Sequence, residues 1–148
     1  MSSARRRSRE FALQGLYQWQ FTGEGAPQIL KNLAEMEGYA KADAAFLDAE
    51  LRGTLSEEPR LREMLEPLAD RKWVELSPIE RAILLMGAWE LMHQMEIPYR
   101  VTINEAIELG KKFGATDGHK YVNGVLDKLA GLVRPEEVAE KRKQRNER

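Results

Sequence analysis

The sequence predicts an all-α protein of about seven helices. Apolar residues recur at three- and four-residue spacing through most of the 148 residues, and no convincing stretch alternates with the two-residue period of a strand. Glycine, proline and short polar residues fall at the ends of these periodic segments, where helices begin and end. The length suits one compact domain or two small halves that share a core.

Four helices are predicted in the N-terminal half. The first has Ser2 or Ser3 as its cap, and it stops at residues 22–25, where two glycines tolerate the backbone reversal that follows a helix. The later boundaries are less sharply marked, because Gly53 and Pro67 interrupt the apolar pattern. The four helices are expected at about residues 4–21, 27–38, 41–55 and 59–70.

The fifth predicted helix has the clearest signals. Ser77 and Glu80 have the spacing of a capping box, and Pro78 stands in the first turn between them. The following residues, up to Met95, are apolar almost all round, which is typical of a helix buried on several sides. We therefore expect this helix at the centre of the fold, with Trp89 and the methionines packed in the core.

Two further helices are predicted before a charged C-terminal segment. Thr102 and Glu105 have the spacing of a second capping box, and Gly114 is expected to end the sixth helix. Asp117 is placed to cap the seventh. We expect Pro135 to end the ordered part and residues 136–148 to form a frayed helix or a mobile tail, because most of them are charged.

Composition limits the classes of function. The chain has 23 Lys and Arg against 24 Asp and Glu, and a formal net charge of −1 by itself disfavours a general nucleic-acid-binding protein. Cations nevertheless cluster at the N-terminus, around residues 111–120 and in the tail. No apolar run approaches the roughly 20 residues of a membrane span, and no signal-type stretch follows the N-terminus. We expect a cytoplasmic protein without membrane contact.

No sequence pattern commits the chain to catalysis. It has no cysteine, and His93 and His119 lie on different predicted helices without ligand-rich neighbours. A glycine-rich phosphate loop and a nucleophile elbow are both absent from the sequence. Carboxylates are numerous, but acids are common on the solvated faces of helical proteins. We therefore expect no enzyme activity, no metal and no cofactor.

The first candidate binding surface is the arginine cluster at the N-terminus, which comprises Arg5, Arg6, Arg7 and Arg9. Cations in the first turns of a helix are unfavourable, because the helix dipole there prefers acids. One interpretation is a solvated, partly frayed tip. The other is an anionic partner, since guanidinium forks bind phosphate oxygens in bidentate fashion and can stack on bases.

The second candidate surface lies in residues 111–121, which place lysines and a histidine beside Phe113 and Tyr121 at a connection between two helices. Single-stranded RNA is bound in this way, with cations along the backbone and rings stacked on splayed bases. Tyr121 lies at the edge of the apolar stripe of its helix, where it can reach solvent. Phe113 falls on its stripe, so core packing is at least as good an explanation for it.

These segments carry a recognisable set of motifs in a fixed order. They are residues 4–10 followed by Ala12, Leu13, Gln14, Leu16, Tyr17 and Trp19, then residues 79–84, 89–91, 97–109, 111–114 and 119–128. Together they resemble the NusB family of transcription antitermination factors. The C-terminal run from residue 97 to 128 carries most of the specificity, and residues 38–70 match only loosely. No function is assigned to the tail after Pro135.

The resemblance implies a fold and a function. The fold is a single domain over residues 1–135, with two helical subdomains at roughly 1–75 and 76–135 around a shared core. The function is binding of single-stranded boxA RNA in ribosomal RNA transcripts, as a heterodimer with the ribosomal protein NusE. That pair joins RNA polymerase and other Nus factors to suppress termination. The resemblance leaves open whether the chain is a monomer or a homodimer.

The resemblance also implies site residues. For RNA they are Arg5, Arg6, Arg7, Gln14, Tyr17, Lys112, Phe113, His119, Lys120, Tyr121 and Asn123. For the protein partner they are Glu75, Glu80, Arg81 and Leu84. Two alternatives remain: an RNA-binding appendage like that of some ribosomal RNA methyltransferases, for whose catalytic domain this chain has no room, and a pure protein-interaction module.

Overall fold

The structure is a computed structural model that describes residues 3–115 and 117–147. Over these residues the chain forms helices and no strands, which confirms the all-α prediction. The α-helices are α1 (Ser3–Thr22), α2 (Ala26–Ala34), α3 (Ala44–Ser56), α4 (Glu58–Leu65), α5 (Pro78–His93), α6 (Tyr99–Phe113), α7 (Gly118–Val133) and α8 (Pro135–Asn146). Short 3₁₀ turns occupy Tyr39–Lys41, Glu66–Leu68 and Trp73–Glu75. Among these helices, none combines the length and the apolar character that crossing a bilayer requires.

Helix α5 is the centre of the fold, as predicted. Its capping box is formed: the Glu80 amide donates to Ser77 Oγ at 3.1 Å, and the Ser77 amide donates to Glu80 Oε2 at 3.4 Å. Every residue from Ala82 to Leu91 is buried, because α5 packs against α1, α3, α4, α6 and α7. Gly53 of α3 allows the closest approach, since a Cβ there would overlap the indole of Trp89.

Helix α6 begins one turn earlier than predicted. Pro98 precedes its first residue, and the amide of Tyr99 donates to Glu137 Oε1 at 3.0 Å. The predicted capping box at Thr102 and Glu105 is therefore wrong, because both residues lie inside the helix and bond to other elements. Gly114 does end α6, but with φ −91°. Glycine is needed there because a Cβ would lie 2.7 Å from the Gly110 carbonyl oxygen.

Two other predicted caps differ from the prediction. Asp117 precedes α7, but its side chain makes no capping hydrogen bond and lies 3.5 Å from Lys120 Nζ instead. Ser3 is the first residue of α1 rather than its cap, and Ser2 lies outside the described residues. A local ion pair replaces the cap at Asp117, and the continuing helix replaces it at Ser3.

The C-terminal segment forms a further helix. Pro135 was expected to end the ordered part, but it stands in the first turn of α8, where its missing amide hydrogen costs nothing. Arg134 fixes this turn by donating to the carbonyl oxygens of Leu91 (2.8 Å) and Ile97 (2.6 Å). Val138 is buried against the core. Sequence reasoning missed Arg134, because nothing local distinguishes it from the solvated cations that follow.

Candidate nucleic-acid interface

Arg6 and Lys112 each form an ion pair that joins the N-terminal half of α1 to α6. Arg6 donates from Nε and Nη2 to the two carboxylate oxygens of Glu105, at 3.1 and 2.7 Å. The Glu105 side chain is 5% exposed, whereas that of Arg6 is 53% exposed. The hydrogen bond and the charge of Glu105 raise the pKa of Arg6, so the guanidinium is firmly positive. The second pair joins Lys112 Nζ to Glu10 Oε2 at 2.6 Å.

These pairs bring together cations that lie about a hundred residues apart in the sequence. Arg6, Lys111 and Lys112 line one cleft of about 360 Å³, with Glu10, Glu105 and Glu108 among the other lining residues. We call this cleft the α1–α6 surface. The arginines and the lysines were predicted as two separate basic patches, and the fold makes Arg6 and Lys112 parts of one surface.

An apolar groove of about 400 Å³ contains three further predicted residues. Gln14 and Tyr17 of α1 face Phe113 of α6 across it. Tyr17 is 38% exposed, and its ring packs edge-on against Phe21, with the ring centroids 4.9 Å apart. Phe113 also lies near Lys112, whose Nζ is 5.3 Å from the ring centroid. The structure therefore places a cation-bearing surface next to an accessible aromatic groove.

The same chain matches a known family over most of its length. A sequence model described as the NusB family matches residues 6–131. The chain belongs to the NusB family. This confirms the resemblance that the motifs carry.

Relatives and solved structures agree with this assignment. The chain is 56% identical over 137 residues to the transcription antitermination protein NusB of Dechloromonas aromatica, which covers 93% of this chain and 84% of that protein. It is 52% identical over 143 residues to the protein of the same name from Thiobacillus denitrificans, and this match covers 97% of this chain and 99% of that protein. The structure superposes on T. maritima NusB with a TM-score of 0.78 and 29% identity, covering 88% and 92% of the two chains.

A second solved structure bears on the NusB fold alone. It contains the antitermination factors NusB and NusE in complex with dsRNA, and it matches with a TM-score of 0.78, 89% of this chain and 99% of that chain being covered. The sequence identity is only 21%. This likeness establishes that the helical arrangement is shared.

The four arginines near the start of this NusB-family chain lie in different environments. Arg5 Nε lies 4.0 Å from Asp43, and its guanidinium lies 4.8 Å from the ring centre of Phe46 in α3. Arg7 lies beside Gly38, whose left-handed φ of +87° and lack of a Cβ leave room for the guanidinium. Only Arg6 reaches α6 from an exposed position. Sequence reasoning grouped these residues, and the helix distributes them over different faces.

Arg9 belongs to a buried charge network. Its guanidinium binds both carboxylate oxygens of Glu90 in α5, at 2.9 and 2.8 Å, and its side chain is 2% exposed. Thr102 Oγ1 donates to the same carboxylate at 3.2 Å. The sequence offered one signal for this network. Glu90 lies in an otherwise apolar helix, and a buried carboxylate needs a charged or hydrogen-bonding partner.

Glu50 of α3 completes this network. Neither of its carboxylate oxygens accepts a hydrogen bond from the described residues. Burial and the neighbouring charge of Glu90 raise the pKa of Glu50 well above its usual value. Burial would likewise raise the pKa of Glu90, but hydrogen bonds from Glu50 and Arg9 outweigh it and lower that pKa. These shifts favour a protonated Glu50, whose hydroxyl can donate to the ionised Glu90.

The predicted residues of α7 lie in two environments. His119 packs on Gly110 of α6, and its Nδ1 is buried without a hydrogen-bond partner among the described residues. Lys120 is exposed at the α7 start. Tyr121 instead lies under the guanidinium of Arg71, 4.3 Å from its ring centroid, and burial raises its pKa. Its ring is thus partly covered rather than open to solvent.

Asn123 and the predicted protein-contact residues also differ in access. Asn123 is half-buried, with Oδ1 unbonded among the described residues. Glu75 is exposed, whereas Glu80 is only 6% exposed and holds the capping box. Arg81 is half-buried. Leu84 is 0% exposed, so its prediction as a partner contact is wrong. Helices surround α5 on several sides and leave Leu84 no path to the surface.

Proposed function

We propose that this chain binds single-stranded boxA RNA of ribosomal RNA transcripts together with the ribosomal protein NusE, and that it acts in the cytoplasm. The pair then joins RNA polymerase and other Nus factors in an antitermination complex. The names of the relatives and the NusB–NusE–dsRNA complex with the same fold support this proposal. The contribution of the protein is binding energy, and no bond is made or broken.

The observation that carries the proposal is the convergence of Arg6 and Lys112 beside the groove of Tyr17 and Phe113. Phosphate oxygens can bind the solvent-facing N–H groups of these cations, because the Arg6 and Lys112 side chains are 53% and 60% exposed while Glu105 and Glu10 hold them in place. The rings offer a face on which an unstacked base can lie, and the Gln14 amide can hydrogen-bond a base edge. Cations would supply salt-dependent affinity, while the groove would supply preference for unpaired RNA.

Fluorescence anisotropy with labelled boxA RNA and a scrambled RNA of the same composition tests the proposal. The titrations are made with and without NusE at two salt concentrations. We expect boxA to bind more tightly than the scrambled RNA, with NusE increasing the difference. Lys112→Gln should weaken binding, while Lys31→Gln, which removes an exposed cation of α2, should not. Equal binding of boxA and scrambled RNA in the presence of NusE would instead favour a protein-interaction module.

The NusE surface is proposed to include Glu75, Glu80 and Arg81. Glu75 is the best residue to test, because it is exposed and its loss leaves the α5 capping box intact. Glu75→Lys should weaken NusE binding in a calorimetric titration without changing RNA affinity. Glu63→Lys, the same change at an exposed position of α4, is the control. Sedimentation of the free protein reports whether a homodimer forms, and unchanged NusE affinity in Glu75→Lys removes this residue from the interface.

A further inference from the structure

A second basic cleft lies at the far end of the α6–α7 pair. These two helices run antiparallel, since Gly110 meets His119 at one end and Arg100 meets Asp127 at the other. The cleft has a volume of about 490 Å³ and lies between the start of α6, the second half of α7 and α8. Its cationic lining residues are Arg100, Lys128, Lys141, Arg142 and Arg145. Asp127 is the one acid among the described lining residues, and Arg100 binds it at 2.9 Å.

The position of α8 makes this cleft a defined surface. Arg134 Nη1 and Nη2 donate to carbonyl oxygens at the end of α5 and in the turn after it, at 2.6–3.1 Å. Glu137 accepts from the Tyr99 amide and from Arg134, both at 3.0 Å. The first turn of α8 is therefore fixed to α5 and α6. The basic residues of its later turns consequently face Lys128 and Arg100 across the cleft.

The cations of α8 are not neutralised. Glu137 stands four residues before Lys141, the spacing at which a helical ion pair forms, but it is already engaged by Arg134 and the Tyr99 amide. Over residues 3–115 and 117–147, no ion pair includes Lys128, Lys141, Arg142 or Arg145. By contrast, Arg6 and Lys112 each hold a carboxylate. A polyanion entering this cleft meets uncompensated positive charge.

We propose that this cleft binds the phosphate backbone of RNA that extends beyond the α1–α6 surface, an inference that rests on the proposed function. Arg100 and Lys111 are eleven residues apart on α6, which places them on nearly the same line of the helix and about 17 Å apart. On α7, Lys120 and Lys128 flank the exposed Gly124, which has open space where a side chain would stand. Each of the two helices therefore carries a cation near the α1–α6 surface and another beside the second cleft.

The lining chemistry favours phosphate over an acidic protein. The apolar lining residues Tyr99 and Val138 are both buried, each 5% exposed, so the cleft lacks the accessible apolar centre of a protein interface. Three of the five cations lie on α8, beyond the segment 6–131 that the NusB family model matches. An RNA contact in this cleft would therefore extend past that segment.

Three RNAs test the proposal: a minimal boxA RNA, the same RNA extended by six unpaired nucleotides at the 5′ end, and one extended at the 3′ end. We expect one extension to tighten wild-type binding severalfold and to steepen the dependence of log affinity on log salt by about 0.7 per added phosphate contact. Arg142→Gln with Arg145→Gln should lose this gain while keeping its affinity for the minimal RNA. Lys143→Gln with Lys31→Gln removes the same charge outside the cleft and should retain the gain. Circular dichroism checks that α8 remains helical.

Each outcome separates the two proposals. Failure of the wild type to bind the minimal RNA rejects the proposed function and this inference with it. Binding of the minimal RNA without a gain from either extension rejects the cleft alone, as does a gain that the double variant retains. Loss of NusE binding in the double variant, with RNA binding unchanged, would make the cleft a protein contact and would also overturn the inference.

Discussion

Arg6 and Arg9 lie one turn apart on α1, and each binds a glutamate through both of its carboxylate oxygens. Their exposures are 53% and 2%. Arg9 and Glu90 hold each other inside the protein, where neither can exchange its partner without leaving a buried charge. Arg6 differs because about half of its side chain is exposed, so the solvent-facing N–H groups of its guanidinium can bind a phosphate while the buried Glu105 carboxylate keeps its partner. The same pair of chemical groups therefore stabilises the fold at one position and is available to a ligand at the other.

The largest expected effect comes from removing the buried arginine. Arg9→Ala leaves Glu90 charged and without its main partner, so the free energy of unfolding should fall by about 3–5 kcal/mol. Arg6→Ala should lower it less, because the Arg6 side of its ion pair is exposed and Arg9 Nη1 remains 3.9 Å from the Glu105 carboxylate. Urea unfolding followed by circular dichroism measures both variants. Equal losses would mean that burial does not distinguish the two pairs.

The next effect is the pH dependence of stability that the buried Glu50 carboxyl group produces. The raised pKa of Glu50 favours the fold fully below its usual value of 4.5, and this contribution is lost as the pH rises. Stability should therefore fall as the pH rises above about 4.5, by up to about 1.4 kcal/mol per pH unit, until the folded group itself ionises. Glu50→Gln keeps a donor toward Glu90 without a titrating proton, so it should flatten this slope and be the more stable protein at neutral pH. Parallel pH profiles would contradict a protonated Glu50.

A smaller effect on RNA binding should distinguish the exposed Arg6 from the half-buried Arg7. Arg6 faces α6, whereas Arg7 lies beside Gly38. Arg6→Ala should weaken RNA binding and reduce the salt slope by about 0.7, the value of one phosphate contact with a single strand. Arg7→Ala should change both less, although it removes the same charge. If the two variants lower the slope equally, long-range charge rather than position sets the contribution of the cluster.

The smallest effect is expected at Asp117. Its carboxylate is exposed, makes no capping bond and pairs with Lys120 at 3.5 Å. Asp117→Asn removes a repulsion of phosphate and frees Lys120, so RNA binding should tighten severalfold at low salt with the melting temperature unchanged. Asp48→Asn, which removes an exposed acid paired with Arg52 on α3, is the control. Unchanged RNA affinity in Asp117→Asn would place the RNA away from the start of α7.

The two capping boxes show where local prediction succeeds and fails. Ser77 and Glu80 formed theirs because Pro78 begins α5 and neither polar group has a stronger partner elsewhere. Thr102 and Glu105 have the same spacing, but Thr102 donates to Glu90 and Glu105 accepts from Arg6. Those partners come from other helices. Local spacing predicts a cap only where tertiary contacts do not compete for its side chains.

The candidate site divides in the same way. The residue types were readable from the sequence, because cations and aromatics at the ends of helices are visible without a fold. The sequence did not show which of these residues share a surface. Arg6 lies near Lys112 only because α1 packs beside α6, and Tyr121 packs against Arg71 instead. The contact role predicted for Leu84 was wrong, and Arg134 was missed, for a related reason: periodicity does not report how many neighbours surround a residue.

Period and motifs are local properties of the chain, and they were enough to predict seven of the helices, the central place of α5 and the family. Which arginine is buried, which carboxylate has a raised pKa and where α8 is fixed depend instead on tertiary packing. Charge burial depends on the neighbours that packing supplies, and those neighbours come from positions about a hundred residues away. The free energy of a charged side chain is therefore set by its surroundings in space, and residues adjacent in the sequence reach opposite outcomes.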